Sequence, residues 1–129
     1  MCTVLLIDDD LVQHFLIKQL LNKFASVDDL TCYLDASKAF SDLQFSFQKA
    51  LKGPNFIFVD LNMPGMNGWE FLNAYQQLIF NKSPHTQVYI LSSSVDRRDI
   101  LHAEQYPFVK GFLTKPLSQH QTQEILMTT

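Results

Sequence analysis

The chain has 129 residues, 47% of them hydrophobic and 18% charged, with ten basic residues against thirteen acidic ones and a net charge of −3. That is the composition of one globular domain, able to bury about two-thirds of its unfolded surface without a disulfide or a metal; it excludes a largely disordered chain and, lacking a basic excess, a dedicated nucleic-acid binder. The two cysteines, Cys2 and Cys32, form no CxxC and make neither a disulfide scaffold nor a zinc site; no apolar run approaches the roughly twenty residues of a membrane span, and the chain reaches Asp8 too early for a signal peptide. The expectation is a reduced, cytoplasmic protein folded as a single domain over 1–129, with no membrane and no nucleic acid among its partners.

Thr3 to Ile7 is a short apolar run closed by three aspartates, the pattern of a strand buried on both faces. Val12, Leu16, Leu20 and Phe24, with Phe15 and Leu21 beside them, recur at helical spacing and predict the buried stripe of a first helix, N-capped by Asp9 or Asp10. Leu30 to Leu34 reads as a weaker second strand with an exposed approach at Asp28 and Asp29. Ala36, Ala39, Phe40, Leu43, Phe47, Ala50 and Leu51 form the stripe of a second helix, stopped by Gly53-Pro54. Phe56 to Val59 is a third buried strand, ended by Asp60. A loop rich in Pro, Gly and Asn follows from Asn62 to Gly68. Phe71, Leu72, Tyr75, Leu78 and Ile79 mark a third helix, with Trp69 near its start. Val88 to Leu91 is a fourth strand, ended by Ser92-Ser93-Ser94. Asp96 can cap a short helix carrying Ile100 and Leu101. Phe108 to Leu113 is a fifth strand, ended by Thr114-Lys115-Pro116. The last segment has only Leu117, Ile125, Leu126 and Met127 as apolar positions and reads as a fifth helix. Strands alternating with helices predict the α/β class, a doubly wound five-stranded parallel sheet with five helices. In such a sheet the functional crevice lies outside the carboxyl ends of the strands.

Residues with chemistry do fall there. Asp8 and Asp9 follow the first strand, Asp60 the third, Ser92 the fourth and Lys115 the fifth. With strands 1, 3, 4 and 5 side by side these ends converge. Three carboxylates packed together repel, and a hard divalent cation such as Mg²⁺ relieves them. Lys115 adds a point positive charge and Ser92 a hydroxyl. A carboxylate nucleophile beside Mg²⁺, a lysine and a hydroxyl is equipment for accepting a phosphoryl group, a transfer that depends on positioning and charge neutralisation. Blander readings stand beside these. Asp60 alone could cap a turn, Asp10 reads as a helix N-cap, Ser93 and Ser94 as turn formers, and Phe112 could be ordinary core. His14, His85, His102 and His120 show no ligand spacing and read as surface residues; Cys32 reads as a small buried hydrophobe.

Leu6-Ile7-Asp8-Asp9-Asp10, Val59-Asp60-Leu61-Asn62-Met63-Pro64-Gly65-Met66-Asn67-Gly68, Leu91-Ser92-Ser93-Ser94 and Phe112-Leu113-Thr114-Lys115-Pro116 come in order, each at a strand end. On these motifs, and along essentially its whole length, the chain resembles the receiver domain of two-component response regulators, with a stand-alone chemotaxis-type receiver as the nearest pattern. The resemblance implies a flavodoxin-like fold of strand order 2-1-3-4-5. It also implies Asp60 as phosphoacceptor and an acidic pair, Asp8 and Asp9, that holds Mg²⁺ with Asp60 and the Asn62 backbone carbonyl. Lys115 is then the lysine on the acyl phosphate, Ser92 the switch hydroxyl and Phe112 the aromatic switch, a Phe where many members have Tyr. Lys115-Pro116 matches a bond usually cis in the family.

The partners so implied are a histidine kinase or a histidine phosphotransfer protein as donor and an unidentified protein as target, with the chain a monomer or an activation-dependent dimer. No output domain is expected, so the signal passes to another protein. An enzyme reading competes: haloacid dehalogenase-type phosphohydrolases use a DxDx(T/V) signature, which Asp8-Asp9-Asp10-Leu11-Val12 imitates, with Asp8 as nucleophile and Asp10 as acid/base. Asp60-Leu61-Asn62-Met63-Pro64-Gly65 has no place in that scheme. A receiver-like scaffold that is never phosphorylated would lack the acceptor, the acidic pair or the lysine, and none is lacking.

Overall fold

A computed structural model describes residues 2–94 and 96–127. Its elements are β1 (Cys2–Ile7), α1 (Leu11–Leu21), β2 (Val27–Tyr33), α2 (Ala36–Gln48), β3 (Phe56–Asp60), α3 (Gly68–Leu78), a 3₁₀ turn (Phe80–Lys82), β4 (Gln87–Ser92), α4 (Arg97–Ala103), β5 (Val109–Thr114) and α5 (Gln119–Leu126). All strand pairs are parallel, in the order β2-β1-β3-β4-β5. The fold class and strand order are those expected, a flavodoxin-like doubly wound sheet.

Successive strand residues face opposite sides, so each central strand feeds two cores. Leu5, Ile7, Ile57, Val59, Val88 and Ile90 pack against α2, α3 and Ala103 of α4. Val4, Leu6, Phe56, Phe58, Tyr89 and Leu91 pack against Ile17 and Leu21 of α1 and Ile125 of α5. Coverage on both faces explains why these strands are unbroken apolar runs rather than alternating ones. Each fully buried aliphatic or Phe side chain contributes about 2 kcal/mol by leaving water.

Several element details depart from the sequence reading. In α1 the first half of the expected stripe faces outward, with Val12 60% exposed, Phe15 60% and Leu16 41%; of the rest, Leu21 is buried and Leu20 and Phe24 are half-buried, and Ile17, outside the stripe, is buried. The helix ends at Leu21, short of Phe24. Its apolar residues lie all round, so the period could not choose the inward side; Asp10, which accepts from the Val12 N–H at 2.9 Å, starts the helix in the register that turns Ile17 inward. Asp28 and Asp29 lie within β2 rather than before it. They are exposed on the edge strand, where charge discourages pairing with another sheet. Leu78 is exposed, and Ile79 just beyond α3 takes the buried place. Cys32 is only half-buried, because β2 has no neighbour on its outer side. The polar α5 packs through Ile125 and through Thr122, whose hydroxyl donates to the Ser118 carbonyl at 2.8 Å and so can be buried without loss.

Helix α2 stops at Gln48, well before Gly53-Pro54. The Leu51 N–H donates to the Ser46 carbonyl at 2.9 Å and the Ala50 N–H to the Phe47 carbonyl at 3.0 Å. This is a Schellman ending with Ala50 in the left-handed position, φ 57°. A left-handed L-residue costs about 1–2 kcal/mol, and glycine relieves this while giving back about 0.4–1 kcal/mol as unfolded-chain freedom. Ala50→Gly is therefore expected to raise Tm by about 2–4 °C in a thermal melt followed by circular dichroism; an unchanged or lower Tm would contradict this account of the cap.

Candidate functional site

The ends of β1, β3, β4 and β5 meet because those strands are consecutive in space, and each carries a polar residue at its last position or just past it. Asp8 is fully buried just past β1, and Asp60 ends β3 at 6% exposure. The Asp8 N–H donates to the Tyr33 carbonyl at 3.0 Å, continuing the sheet by one bond. Its Oδ1 accepts from the Asp10 N–H at 2.9 Å. Lys115 Nζ lies 2.6 Å from Asp8 Oδ2 and 3.3 Å from Asp60 Oδ1, so one ammonium bridges two buried carboxylates. Asp9 is exposed at the mouth, and ligand oxygens of Asp8, Asp9 and Asp60 all lie within 4.8 Å of one another. Asp10, Gln13, Asn62, Ser93 and Pro116 complete a pocket of about 440 Å³.

The loop after β3 is shaped by a close approach. A Cβ on Gly68 would sit 2.5 Å from the Asp60 carbonyl oxygen and 2.7 Å from Leu61 Cα, so only glycine lets α3 begin against the back of Asp60. The Gly68 N–H then donates to the Leu61 carbonyl at 3.0 Å. Asn67 and Glu70 form a capping box that starts α3 there. On the opposite wall the Lys115 N–H donates to the Ser92 carbonyl at 2.8 Å, and the Lys115-Pro116 bond is cis, as expected.

Burial raises the Asp60 carboxyl above its ordinary value; the Lys115 ammonium opposes this, and the Asp8 carboxylate adds to it. Burial pulls the Lys115 ammonium down, but its bond to Asp8 and the charges of Asp60 and Asp8 outweigh that and hold it above its usual range. The pocket thus gathers three converging carboxylates, with the Asp10 cap beside them on its wall, around one protonated lysine. Asp8 Oδ2, fully buried, makes no hydrogen bond of good geometry beyond its ion pair with that lysine. A cluster of hard oxygen donors with net negative charge and an under-satisfied oxygen fits a small divalent cation such as Mg²⁺. A larger groove of about 690 Å³ between α1 and β2 is lined by Lys18, Asp28, Asp29 and Cys32 among others, but gathers no comparable cluster. Chemistry, not size, marks the site.

Of the residues singled out by sequence, Asp8, Asp9, Asp60 and Lys115 come together. Asn62 lies at the rim, exposed, with its backbone N–H near enough to the Asp60 carboxylate to favour its ionised form slightly. Ser92 is 2% exposed and turned toward its own loop: its hydroxyl donates to the Ser94 carbonyl at 2.8 Å, while Ser93 lines the pocket. Phe112 stands outside the acidic pocket, half-buried beside a groove between β5 and the α4 residues Ile100 and Ala103. Asp10 is the α1 cap rather than part of the cluster. Trp69, near the start of α3 as expected, stacks on His102 of α4 with ring centroids 3.9 Å apart, so it faces α4. Two of the four histidines are not simple surface residues: His102 joins that stack, and His14 bonds the Asp8 carbonyl. Gln13 is not singled out by sequence, where Ser93 reads as a turn former and His14 as a surface residue. Gln13 and His14 lie in the first turn of a helix that starts at the site, which is the one signal they carried.

Comparison with known proteins agrees with this geometry. The family model of the response regulator receiver domain matches residues 4–127. A two-component response regulator from Cytophaga hutchinsonii superposes with a TM-score of 0.90 at 30% identity, covering 99% of this chain and 96% of that one. A response regulator receiver protein from Dyadobacter fermentans gives 0.83 at 27% identity, covering 99% and 97%. The nitrate/nitrite response regulator protein NarL of Escherichia coli is 33% identical over 101 residues, which are 78% of this chain but 42% of that protein. The chain therefore spans well under half the length of that curated relative. Among the described residues no helix is long and apolar enough to cross a membrane.

Proposed function

The chain belongs to the response regulator receiver family, and from that premise we propose that it takes a phosphoryl group onto Asp60 from a histidine kinase or histidine phosphotransfer protein, with Mg²⁺, and passes on the change as an altered conformation. The observation that carries this reading is Lys115 bridging Asp8 and Asp60 at the convergence of four strand ends. An Asp60 carboxylate oxygen forms the new P–O bond as the P–N bond of the phosphohistidine breaks; the imidazole leaves with the electron pair and takes a proton from solvent. Water later attacks phosphorus, returning the carboxylate and inorganic phosphate. The chain is then a phosphoacceptor in signalling, cytoplasmic, rather than an enzyme acting on a metabolite. Asp8, Asp9, Asp60 and the Asn62 carbonyl would hold Mg²⁺, which would supply charge neutralisation for the carboxylates and the phosphoryl oxygens.

Lys115 is positioned to follow the negative charge outward from Asp60 onto the phosphoryl group. Ser92 reaches that group only by giving up its bond to Ser94, a rearrangement of about 1 kcal/mol that a charge-assisted bond offsets. The groove between β5 and α4 leaves room for the Phe112 ring to follow. The exposed apolar face of α1, Leu11, Val12, Phe15 and Leu16, begins beside the acidic mouth and favours a protein donor over a small molecule. Asp8 as a phosphohydrolase nucleophile is disfavoured, since it is fully buried with Asp10 spent on capping.

The test is to expose the protein to acetyl phosphate and Mg²⁺, reduce the acyl phosphate with borohydride and locate the modified residue by peptide mapping. One modification at Asp60, lost in EDTA, is the expected result. Modification at Asp8 instead would overturn the reading in favour of the phosphohydrolase.

A further inference from the structure

We propose that His14 is a positioning residue for the acidic pair, orienting Asp9 toward the cation through the backbone of Asp8; this rests on reading the pocket as a Mg²⁺ site. His14 sits half-buried in the first turn of α1, its N–H donating to the Asp10 carbonyl at 3.3 Å. Its Nε2 lies 2.6 Å from the Asp8 carbonyl oxygen. A carbonyl oxygen only accepts, so Nε2 carries the proton and donates.

The other polar atoms of Asp8 are held already. The N–H is fixed by the Tyr33 carbonyl, Oδ1 by the Asp10 N–H and Oδ2 by Lys115. His14 holds the remaining one, and that one belongs to the peptide plane joining Asp8 to Asp9. Rotating that plane swings the Asp9 Cα–Cβ bond. Among the described residues no hydrogen bond restrains the exposed Asp9 carboxylate, so its aim depends on this backbone hold. A donor behind a ligand, rather than a ligand itself, is a common way to set metal affinity; its loss typically costs 10–100-fold.

The test is isothermal titration of Mg²⁺ into wild-type protein, His14→Phe, which keeps the ring and removes the donor, and His14→Gln, which restores a donor of similar reach. Melts in EDTA run alongside. Binding about tenfold weaker in His14→Phe, recovered at least in part by His14→Gln, is the expected result. Acetyl phosphate labelling of His14→Phe should then be slow at low Mg²⁺ and normal at saturation. Equal Mg²⁺ affinity in wild type and His14→Phe, with only the EDTA melt altered, would reduce His14 to a structural residue and overturn the proposal. A wild type that takes up no Mg²⁺ would overturn the parent reading as well, so the two failures are distinct.

Discussion

Asp60→Asn takes up no phosphoryl group from acetyl phosphate under conditions that label the wild type once, and in EDTA it melts higher than the wild type. The first effect follows from losing the nucleophilic oxygen. The second comes from the electrostatics of the pocket. Burial, reinforced by Asp8, holds the Asp60 carboxyl above its ordinary value despite Lys115. The native state therefore binds this proton more tightly than the unfolded chain does. A raised carboxyl contributes stability that is fully present below the ordinary value of 3.8 and is lost as pH climbs from there through the raised value. At neutral pH the ionised Asp60 is a burden, and a neutral amide of the same shape removes it while leaving Lys115 paired with Asp8. The advantage of Asp60→Asn, a rise of about 3 °C at pH 7, should shrink as the melt is repeated toward pH 4. Excess Mg²⁺ should reverse the order, because wild type gains about 1.4 kcal/mol for each tenfold excess over its dissociation constant and the variant binds with one carboxylate fewer. Melting of the two proteins together at pH 7 in EDTA would remove the claim that the acceptor is held at a cost.

Lys115→Ala is expected to be the most destabilising single change in the pocket. Its ammonium lies within 3.3 Å of both buried carboxylates, and its own proton is held above the usual range by them. Removing one partner of a buried ion pair leaves charge uncompensated and costs about 3–5 kcal/mol; here two carboxylates lose their partner together. Admission of water to the new space limits the loss to the lower part of that range. Urea unfolding in EDTA should show the deficit, and saturating Mg²⁺ should return a large part of it by supplying positive charge to the same oxygens. A loss under 1 kcal/mol, or one that Mg²⁺ leaves untouched, would mean that the lysine is not the counter-charge of this cluster.

The legible parts of the fold were those where burial leaves no choice. β1, β3 and β4 are covered on both faces, so their apolar runs read as strands, and the aspartates after β1 and at the end of β3 and the serines at the end of β4 read as strand ends. The side of α1 was illegible, because Leu11, Val12, Phe15, Leu16, Ile17, Leu20 and Leu21 encircle the helix and only docking to the sheet selects Ile17 and Leu21. The end of α2 was hidden because Ala50 occupies a backbone position where Gly or Asn is usual. Asp8, Asp9, Asp60 and Lys115 could be placed together because strand order alone brings their backbones close. The direction of the Ser92 hydroxyl and the bond from His14 to Asp8 depend on rotamers, which no spacing encodes.

One modest bond in the opposite wall has a mechanical meaning. The Lys115 amide is tied to the Ser92 carbonyl, so the segment that senses charge and the segment that carries the hydroxyl form one body. A pull on the ammonium cannot be absorbed by the β5 loop alone: either both loops travel, or a bond of about 1 kcal/mol breaks. Such a tie would favour movement of the two loops together over movement of either alone by about that amount. On the proposed reading, the two loops of that wall would answer together.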